Sequence, residues 1–283
     1  MFAGLTDRFW FWISAGCYLA GLLAGTYSLL RGQRQSGLRV NAFIAAGYLF
    51  QVLGLYLRGQ AVGGCPLGNT FEIFQFTAWS AITLYFVVGV TFRLSLLGYF
   101  TSCLAAALTL MSLAIPAWDA TRRAHIFGGN TWIELHAALA LFSYGVFALL
   151  ALTSVMYLLR NYSLKTKNLG GGFSFLPSIL DLDHISVRLL KTGVVLMTAS
   201  LAVGAVYWLR DLSSVNLAKL LITVAVWVGY AAARGLRLRG ILLARRFAWT
   251  GVVLFAAALF SLWLVDASRH TPVPVPASRT IAR

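Results

Sequence analysis

Long apolar runs, separated by short polar connections, dominate the chain. A helix needs about 20 apolar residues to cross the hydrocarbon core of a bilayer. Eight runs approach that length, and together they predict an all-α bundle of about eight transmembrane helices within residues 1–265. The predicted spans are 10–30, 40–57, 71–92, 96–115, 132–159, 185–209, 215–233 and 241–265.

The connections alternate in charge. Those after the first, third, fifth and seventh runs are rich in Lys and Arg, and the others are poorer. Because positively charged loops stay in the cytoplasm, this bias predicts that the N-terminus and the C-terminus both lie outside. Residues 266–283 alternate Pro with Val or Thr in part, which favours extended geometry and predicts a disordered tail on the outer side.

Composition supports a lipid environment. Of 283 residues, 59% are hydrophobic and 11% are charged, whereas about a quarter of the residues in a soluble domain are charged. The net charge of +15 comes from 23 Lys and Arg residues scattered between the apolar runs, so topology explains it better than a nucleic-acid interface. These features predict a multi-pass protein of the cytoplasmic (inner) membrane, with the lipid bilayer as its first partner.

Three of the four histidines fall on the predicted outer side. They are His125, His136 and His270, and His136 lies about one turn inside the fifth span. Two neutral imidazoles at one depth are suitable axial ligands for heme iron, which makes His136 and His270 the candidate metal ligands. The alternative is that His136 forms a hydrogen bond at a helix end beside Glu134 and that His270 is an ordinary tail residue.

Other polar residues have structural explanations. His184, beside Asp181 and Asp183, is interpreted as part of the start of the sixth helix. In the second outer connection Asn69 is expected to cap the third helix, with Glu72 at the third helical position. Cys65 has no CxxC partner, so a role in thiol exchange is less favoured than a spectator role.

Lys219 and Arg210 have two possible roles at the outer end of the bundle. The default interpretation of Lys219 is that its stem extends to the membrane interface. If heme is bound there, Lys219 or Arg210 instead pairs with a propionate. We find no phosphate loop, nucleotide fingerprint, HExxH pair or nucleophile arrangement in the chain, so no feature of the sequence requires an enzyme.

Three stretches of the chain resemble the CcsA/HemX-like cytochrome c assembly family. They are CPLGNTFEIFQFTAWS at 65–80, ELHAALALFSYGVFALLALTSVMYLL at 134–159 and LPSILDLDHISVRLLKTGVVLMTASLAVGAVYW at 176–208. The resemblance covers most of the chain from the third to the sixth helix. The matching positions, in order, are Leu135, His136, Tyr144, Tyr157, Leu164, Lys165, Leu176, Pro177, Leu182, Gly193, Thr198, Gly204 and Trp208.

The resemblance implies a function. Members of the CcsA type move heme to the outer face and present it for attachment to apocytochrome c. It implies heme b as a cofactor, held by His136, which matches the first outer histidine by motif, and by His270, which matches the second by position. It further implies that Trp208 lines the heme, and that apocytochrome c and another assembly subunit are partners.

One departure from the family separates two hypotheses. Where heme-handling members carry a WxWDPKETW-type sequence, this chain reads YWLRDLSSVN at 207–216, which retains only Trp208 and Asp211. HemX-like relatives are therefore the closer comparison. The first hypothesis is heme handling at the outer face for cytochrome c biogenesis, without enzymatic chemistry. The alternative is a heme-free structural or regulatory membrane subunit of the same machinery.

Overall fold

The chain folds into eight α-helices joined by short connections. A computed structural model describes residues 6–31, 37–92, 95–121, 130–167, 177–208 and 217–267. The helices are α1 (Asp7–Leu30), α2 (Gly37–Val62), α3 (Thr70–Phe92), α4 (Ser95–Ala114), α5 (Thr131–Lys165), α6 (Ile179–Trp208), α7 (Leu217–Leu238) and α8 (Ala244–Ala267). Each overlaps one predicted span, and the described residues contain no strand, so the all-α prediction is confirmed.

Seven of the helices, all except α3, are long and apolar enough to cross a membrane over their described residues. Many large apolar side chains lie on the outside of the bundle, including Leu23, Leu49 and Val253. An apolar surface of this extent on long helices is stable only against lipid. The chain is therefore a multi-pass membrane protein. The predicted outer tail lies outside the described residues from residue 268 onward.

Neighbouring helices run in alternating directions. Ends that the sequence separates widely meet at one side: the start of α1 contacts the end of α2 and the start of α3 through the ion pairs of Arg58. We call this end the α1 face, and the opposite end, where α6 and α8 begin, the basic face. The charge bias of the sequence predicts that the α1 face is the outer one.

The bundle has two parts. Helices α1 to α4 pack on one another, with α1 against α2 and α4, and α3 against α4. Helix α5 joins this group to the rest, because it packs on α3, α6 and α8, while α7 lies mainly against α8 at the edge. The main apolar core surrounds α5 and includes Phe147, whose ring stacks on Tyr230 of α7 with centroids 3.5 Å apart.

Two helix starts test the capping predictions. The backbone N–H of Glu72 donates to Asn69 Oδ1 over 2.9 Å, which confirms Asn69 as the cap of α3. The helix-start role of His184 is wrong, because α6 begins earlier, at Ile179. Ser178 caps it: the N–H of Asp181 donates to Ser178 Oγ over 3.1 Å, and that hydroxyl donates to Asp181 Oδ2 over 2.6 Å.

Candidate functional site

His136 lies near the α1 face, between α5 and α6. It follows the start of α5 at Thr131 by just over one turn, as the sequence predicts. Its ring is half-buried, and Nδ1 lies 2.7 Å from the backbone oxygen of Ser200 on α6. Ser200 Oγ is 3.1 Å from the same nitrogen and donates to the carbonyl of His136 over 2.8 Å. The hydrogen bond that the alternative interpretation expects near the start of α5 is therefore present, and its partner is Ser200 on α6.

This contact determines the tautomer of the imidazole. A carbonyl oxygen can only accept, so Nδ1 carries the proton and donates it to Ser200. In the neutral ring Nε2 then carries the lone pair, and the backbone bond fixes the plane of the ring. A metal-binding histidine is held in the same way by a second contact behind it. The Nε2 atom of His136 therefore fits the role of an axial ligand of heme iron.

The remaining predicted site residues are described only in part. Trp208 is the last residue of α6, about 12 Å beyond Ser200 along the helix axis. Lys219 lies in the first turn of α7, which begins at Leu217. The side chains of both lie outside the described residues, and so do Arg210, His270 and His125.

The connection between α2 and α3 lies against the start of α5. A Cβ on Gly64 would be 2.6 Å from Glu134 Oε1, so the absence of a side chain there lets the loop approach the carboxylate. Cys65 next to it is partly buried, and this burial, followed by the charges of Glu134 and Glu72, raises the pKa of its thiol to about 11. A thiol of this kind is a poor nucleophile at neutral pH, which agrees with a spectator role.

A group of charged side chains that the sequence did not suggest as a site lies beside this loop. Its centre is Arg58, which has no solvent-exposed surface. Arg58 Nε lies 2.6 Å from Glu72 Oε1, Nη1 lies 2.6 Å from Asp7 Oδ2, and Nη2 pairs with Asp119 Oδ1. Arg8 reaches Asp119 from the rim over 3.3 Å. We call these residues the ion cluster: Asp7, Arg8, Arg58, Glu72 and Asp119.

Apart from Arg8 at its rim, the ion cluster is closed to solvent. The carboxylates of Asp7, Glu72 and Asp119 are each less than a tenth exposed, and the ring of Phe71 covers the guanidinium at 4.7 Å. Its four buried members come from α1, α2, α3 and the 3-10 helix Pro116–Asp119 that follows α4. A buried arginine needs paired acceptors in a medium of low dielectric constant. The cluster therefore joins four helix ends and offers no access to a ligand.

A second polar layer lies deeper in the same four helices. Tyr18 donates to Gln51 Oε1 over 2.8 Å, and Gln51 Nε2 donates to Gln75 Oε1 over 2.9 Å. Gln75 Nε2 donates to Ser112 Oγ over 2.8 Å. All four side chains are fully buried, and each comes from a different helix of α1 to α4. We call this the amide layer; it satisfies polar groups that lipid could not.

The sequence contained a signal for the ion cluster. Ionisable residues at the edges of apolar runs are costly unless they are paired. Arg58 was assigned to a connection because the second predicted span ended at residue 57, but α2 continues to Val62. Because the predicted span ends five residues too early, it leaves Arg58 outside the bundle, and its pairing with Glu72 is not predicted. Among the described residues, no group of three or more His, Cys, Asp or Glu side chains is arranged to hold a metal ion.

Comparisons with known proteins agree with this architecture. A family described as cytochrome C assembly protein matches residues 67–271. The HemX protein of Brevibacillus brevis is 29% identical over 178 residues, which cover 61% of this chain and 65% of that protein. The cytochrome c biogenesis protein CcsA of Cyanidium caldarium is 29% identical over 134 residues, covering 44% and 42%. The inner membrane protein YpjD of Escherichia coli (strain K12) is 25% identical over 124 residues, covering 44% and 47%.

The chain thus spans just under two thirds of that HemX protein and less than half of the other two. The family match itself extends over more than half of this chain and includes Glu72, Asp119 and His136. Together with the eight-helix membrane fold, it places the chain in the cytochrome c assembly protein family.

Proposed function

We propose that this protein binds heme at the α1 face as a step in cytochrome c biogenesis. The α1 face lies on the outer, non-cytoplasmic side of the cytoplasmic (inner) membrane. Heme is the cargo, and the protein holds and presents it to apocytochrome c without an enzymatic step of its own. The name of the relative CcsA, a cytochrome c biogenesis protein, supports a role in cytochrome c biogenesis. The name of the relative YpjD supports the choice of membrane.

The observation that carries the proposal is the bond from His136 Nδ1 to the carbonyl of Ser200. It fixes the imidazole between two helices and directs the lone pair to Nε2, which is the state a heme-iron ligand requires. A histidine that only joined α5 to α6 would have the same tautomer, so the heme titration below is what separates the two roles.

Four further residues complete the proposed site. His270 supplies the second axial imidazole, Trp208 packs on the porphyrin, and Arg210 or Lys219 pairs with a propionate. Each of these roles rests on the place of the residue in the sequence, near or beyond the predicted outer ends of the last three spans. Of the four, His270 is tested together with His136 below.

The experiment is an absorption spectrum of the detergent-purified protein, oxidised and reduced, with hemin titrated in. We expect saturable binding with the Soret and alpha bands of low-spin heme held by two imidazoles. His136→Ala should remove the low-spin spectrum, and free imidazole added to this variant should restore it. Restoration by imidazole separates a ligand from a residue that is needed only for folding.

The matched control is His184→Ala. His184 lies on an exposed face of α6 at the basic face, far from His136 in the fold, so this variant should bind heme as the wild type does. Low-spin heme retained in the double variant His136→Ala, His270→Ala would contradict the ligand assignment. A flat or non-saturable response of the wild type would favour the alternative, a heme-free structural or regulatory subunit of the assembly machinery.

A further inference from the structure

A groove of about 500 Å³ opens at the basic face between the start of α6 and the end of α7. It lies at the end of the bundle opposite His136 and has no part in the proposed heme site. The residues that line it are Asp183, His184, Val187, Arg188, Arg237 and Leu238.

The mouth of the groove is cationic. His184, Arg188 and Lys191 follow one another at spacings of four and three residues, which puts them on one stripe of α6, and all three are exposed. Arg237 forms the other wall. It is held in place by an ion pair with Asp183, by donation to the carbonyl of Leu242 over 3.2 Å, and by the ring of Phe247 at 4.9 Å. The mouth thus presents the charged side chains of Arg188 and Lys191, and Asp183, the carboxylate among the lining residues, pairs with Arg237.

Towards the middle of the bundle the same surface becomes apolar. Val195 continues the α6 stripe towards the middle of the bundle and is 57% exposed, whereas Leu238, which is 73% exposed, ends α7 at the mouth of the groove. Deeper still, Trp227 Nε1 donates to Thr198 Oγ1 over 2.9 Å and joins α6 to α7. A molecule that fits this surface therefore carries an anionic head at the membrane boundary and an apolar tail along the helices.

We propose that the groove is a binding site for one anionic glycerophospholipid, with its phosphate between Arg188 and Arg237. Basic pockets between transmembrane helices on the cytoplasmic side have the chemistry that recognises such headgroups. A soluble phosphate would be recognised by the mouth alone, and it would leave the apolar continuation without a function. A phospholipid accounts for both halves of the surface, with its phosphate at the cationic mouth and its acyl chain along the apolar part.

The test is native mass spectrometry of the full detergent-purified chain with equal amounts of phosphatidylglycerol and phosphatidylcholine. We expect one phosphatidylglycerol to be retained in preference to phosphatidylcholine. Arg188→Gln and Lys191→Gln should each lower that preference about fivefold, since one cation near the surface contributes about 1 kcal/mol. Both positions are exposed, so neither substitution should prevent folding.

The matched control is Arg245→Gln, which removes an exposed arginine from the start of α8 on the same face but outside the groove. It should leave the lipid preference unchanged. Equal retention of the two lipids would overturn the proposal, as would an equal loss in Arg245→Gln, which would mean that the whole basic face attracts anions. Displacement of the lipid by millimolar inorganic phosphate would also overturn it, because the site would then recognise a free anion.

Discussion

Polar groups are arranged differently in the two halves of the bundle, α1 to α4 and α5 to α8. In α1 to α4, the ion cluster and the amide layer are stacked about 10 Å apart along α2, from Arg58 to Gln51. The buried members of each layer come one from each of the four helices or its end, and only Arg8, at the rim of the ion cluster, is partly exposed. In α5 to α8 the buried core is largely apolar and aromatic, and His136 and the basic groove lie at the helix ends, where they are partly exposed.

This difference separates two uses of polarity in a membrane. Polar groups that satisfy one another completely hold helices together and leave no site for a ligand. Groups at partly exposed helix ends, such as His136 and the residues of the basic groove, can be reached by another molecule. We therefore assign structural roles to the polar layers of the first half and ligand-binding roles to the second half, and four predictions test this division.

The largest effect is expected from Arg58→Met. The substitution keeps much of the side-chain volume but leaves Asp7, Glu72 and Asp119 buried without their shared cation. Removing one partner from a buried ion pair destabilises a protein by about 3–5 kcal/mol. The free energy of unfolding in an SDS titration should fall by that order, with heme binding lost only as far as the fold is lost.

Arg8→Gln is the control for this variant. Arg8 contacts the same Asp119, but its side chain is 30% exposed, so its removal should cost less than about 1 kcal/mol. If Arg58→Met proved no more harmful than Arg8→Gln, the ion cluster would not be the structural centre of the α1 face.

Hydropathy predicted the eight helices because each helix that crosses a bilayer needs a long apolar run of about 20 residues. The ion cluster could not be predicted in the same way. Arg58 lies 51 residues from Asp7 and 61 from Asp119, and only the packing of four helices brings them together. Local capping, in contrast, was predictable for Asn69 and Glu72, which are three residues apart.

The candidate site shows the same distinction between local features, which could be predicted, and long-range contacts, which could not. The depth of His136 followed from its place in the fifth apolar run, but its partner Ser200 is 64 residues away on α6. The positions that resemble the family also have structural roles: Gly193 lets the ring of Phe147 pack closely, and Thr198 accepts the bond from Trp227. The positions that resemble the family therefore reflect the packing of α5 and α6, and not only residues that bind a ligand.

The second prediction concerns the amide layer. Gln75→Leu has a similar shape but removes the donor to Ser112 and the side-chain acceptor of Gln51 Nε2, which keeps only the backbone carbonyl of residue 75 at 3.2 Å. We expect a loss of about 1–2 kcal/mol, since buried polar groups lose their partners. Because Gln51 and Gln75 act through one shared bond, the double variant Gln51→Leu, Gln75→Leu should lose less than the sum of the single variants. Additive losses in the same SDS titration would mean that the layer is not a coupled network.

Two tyrosines provide the third, matched comparison. Tyr18 in the first half donates to Gln51 over 2.8 Å, whereas the buried hydroxyl of Tyr230 in the second half has no hydrogen-bond partner within the described part of the chain. Tyr18→Phe should cost about 0.5–1.5 kcal/mol, in the range of hydrogen bonds within membranes. Tyr230→Phe should be neutral or slightly stabilising, with its stacking on Phe147 kept. Equal effects on the free energy of unfolding would remove the distinction between the two halves.

The smallest effect is expected at Cys65, where the two halves meet. Burial, with the charges of Glu134 and Glu72, raises the pKa of its thiol from 9.0 to about 11. Only the thiolate reacts with maleimide at an appreciable rate, so in a Cys17→Ala, Cys103→Ala background the labelling rate should keep rising as the pH increases towards 11. Glu134→Gln removes a negative charge from beside the loop, so the pKa should fall and labelling at pH 9 should become faster. The gain should be modest, because burial is the larger cause of the shift. A rate that levels off near pH 9 would show instead that the loop does not rest on α5, and that the ion cluster fixes the first half without positioning it against the helix that carries His136.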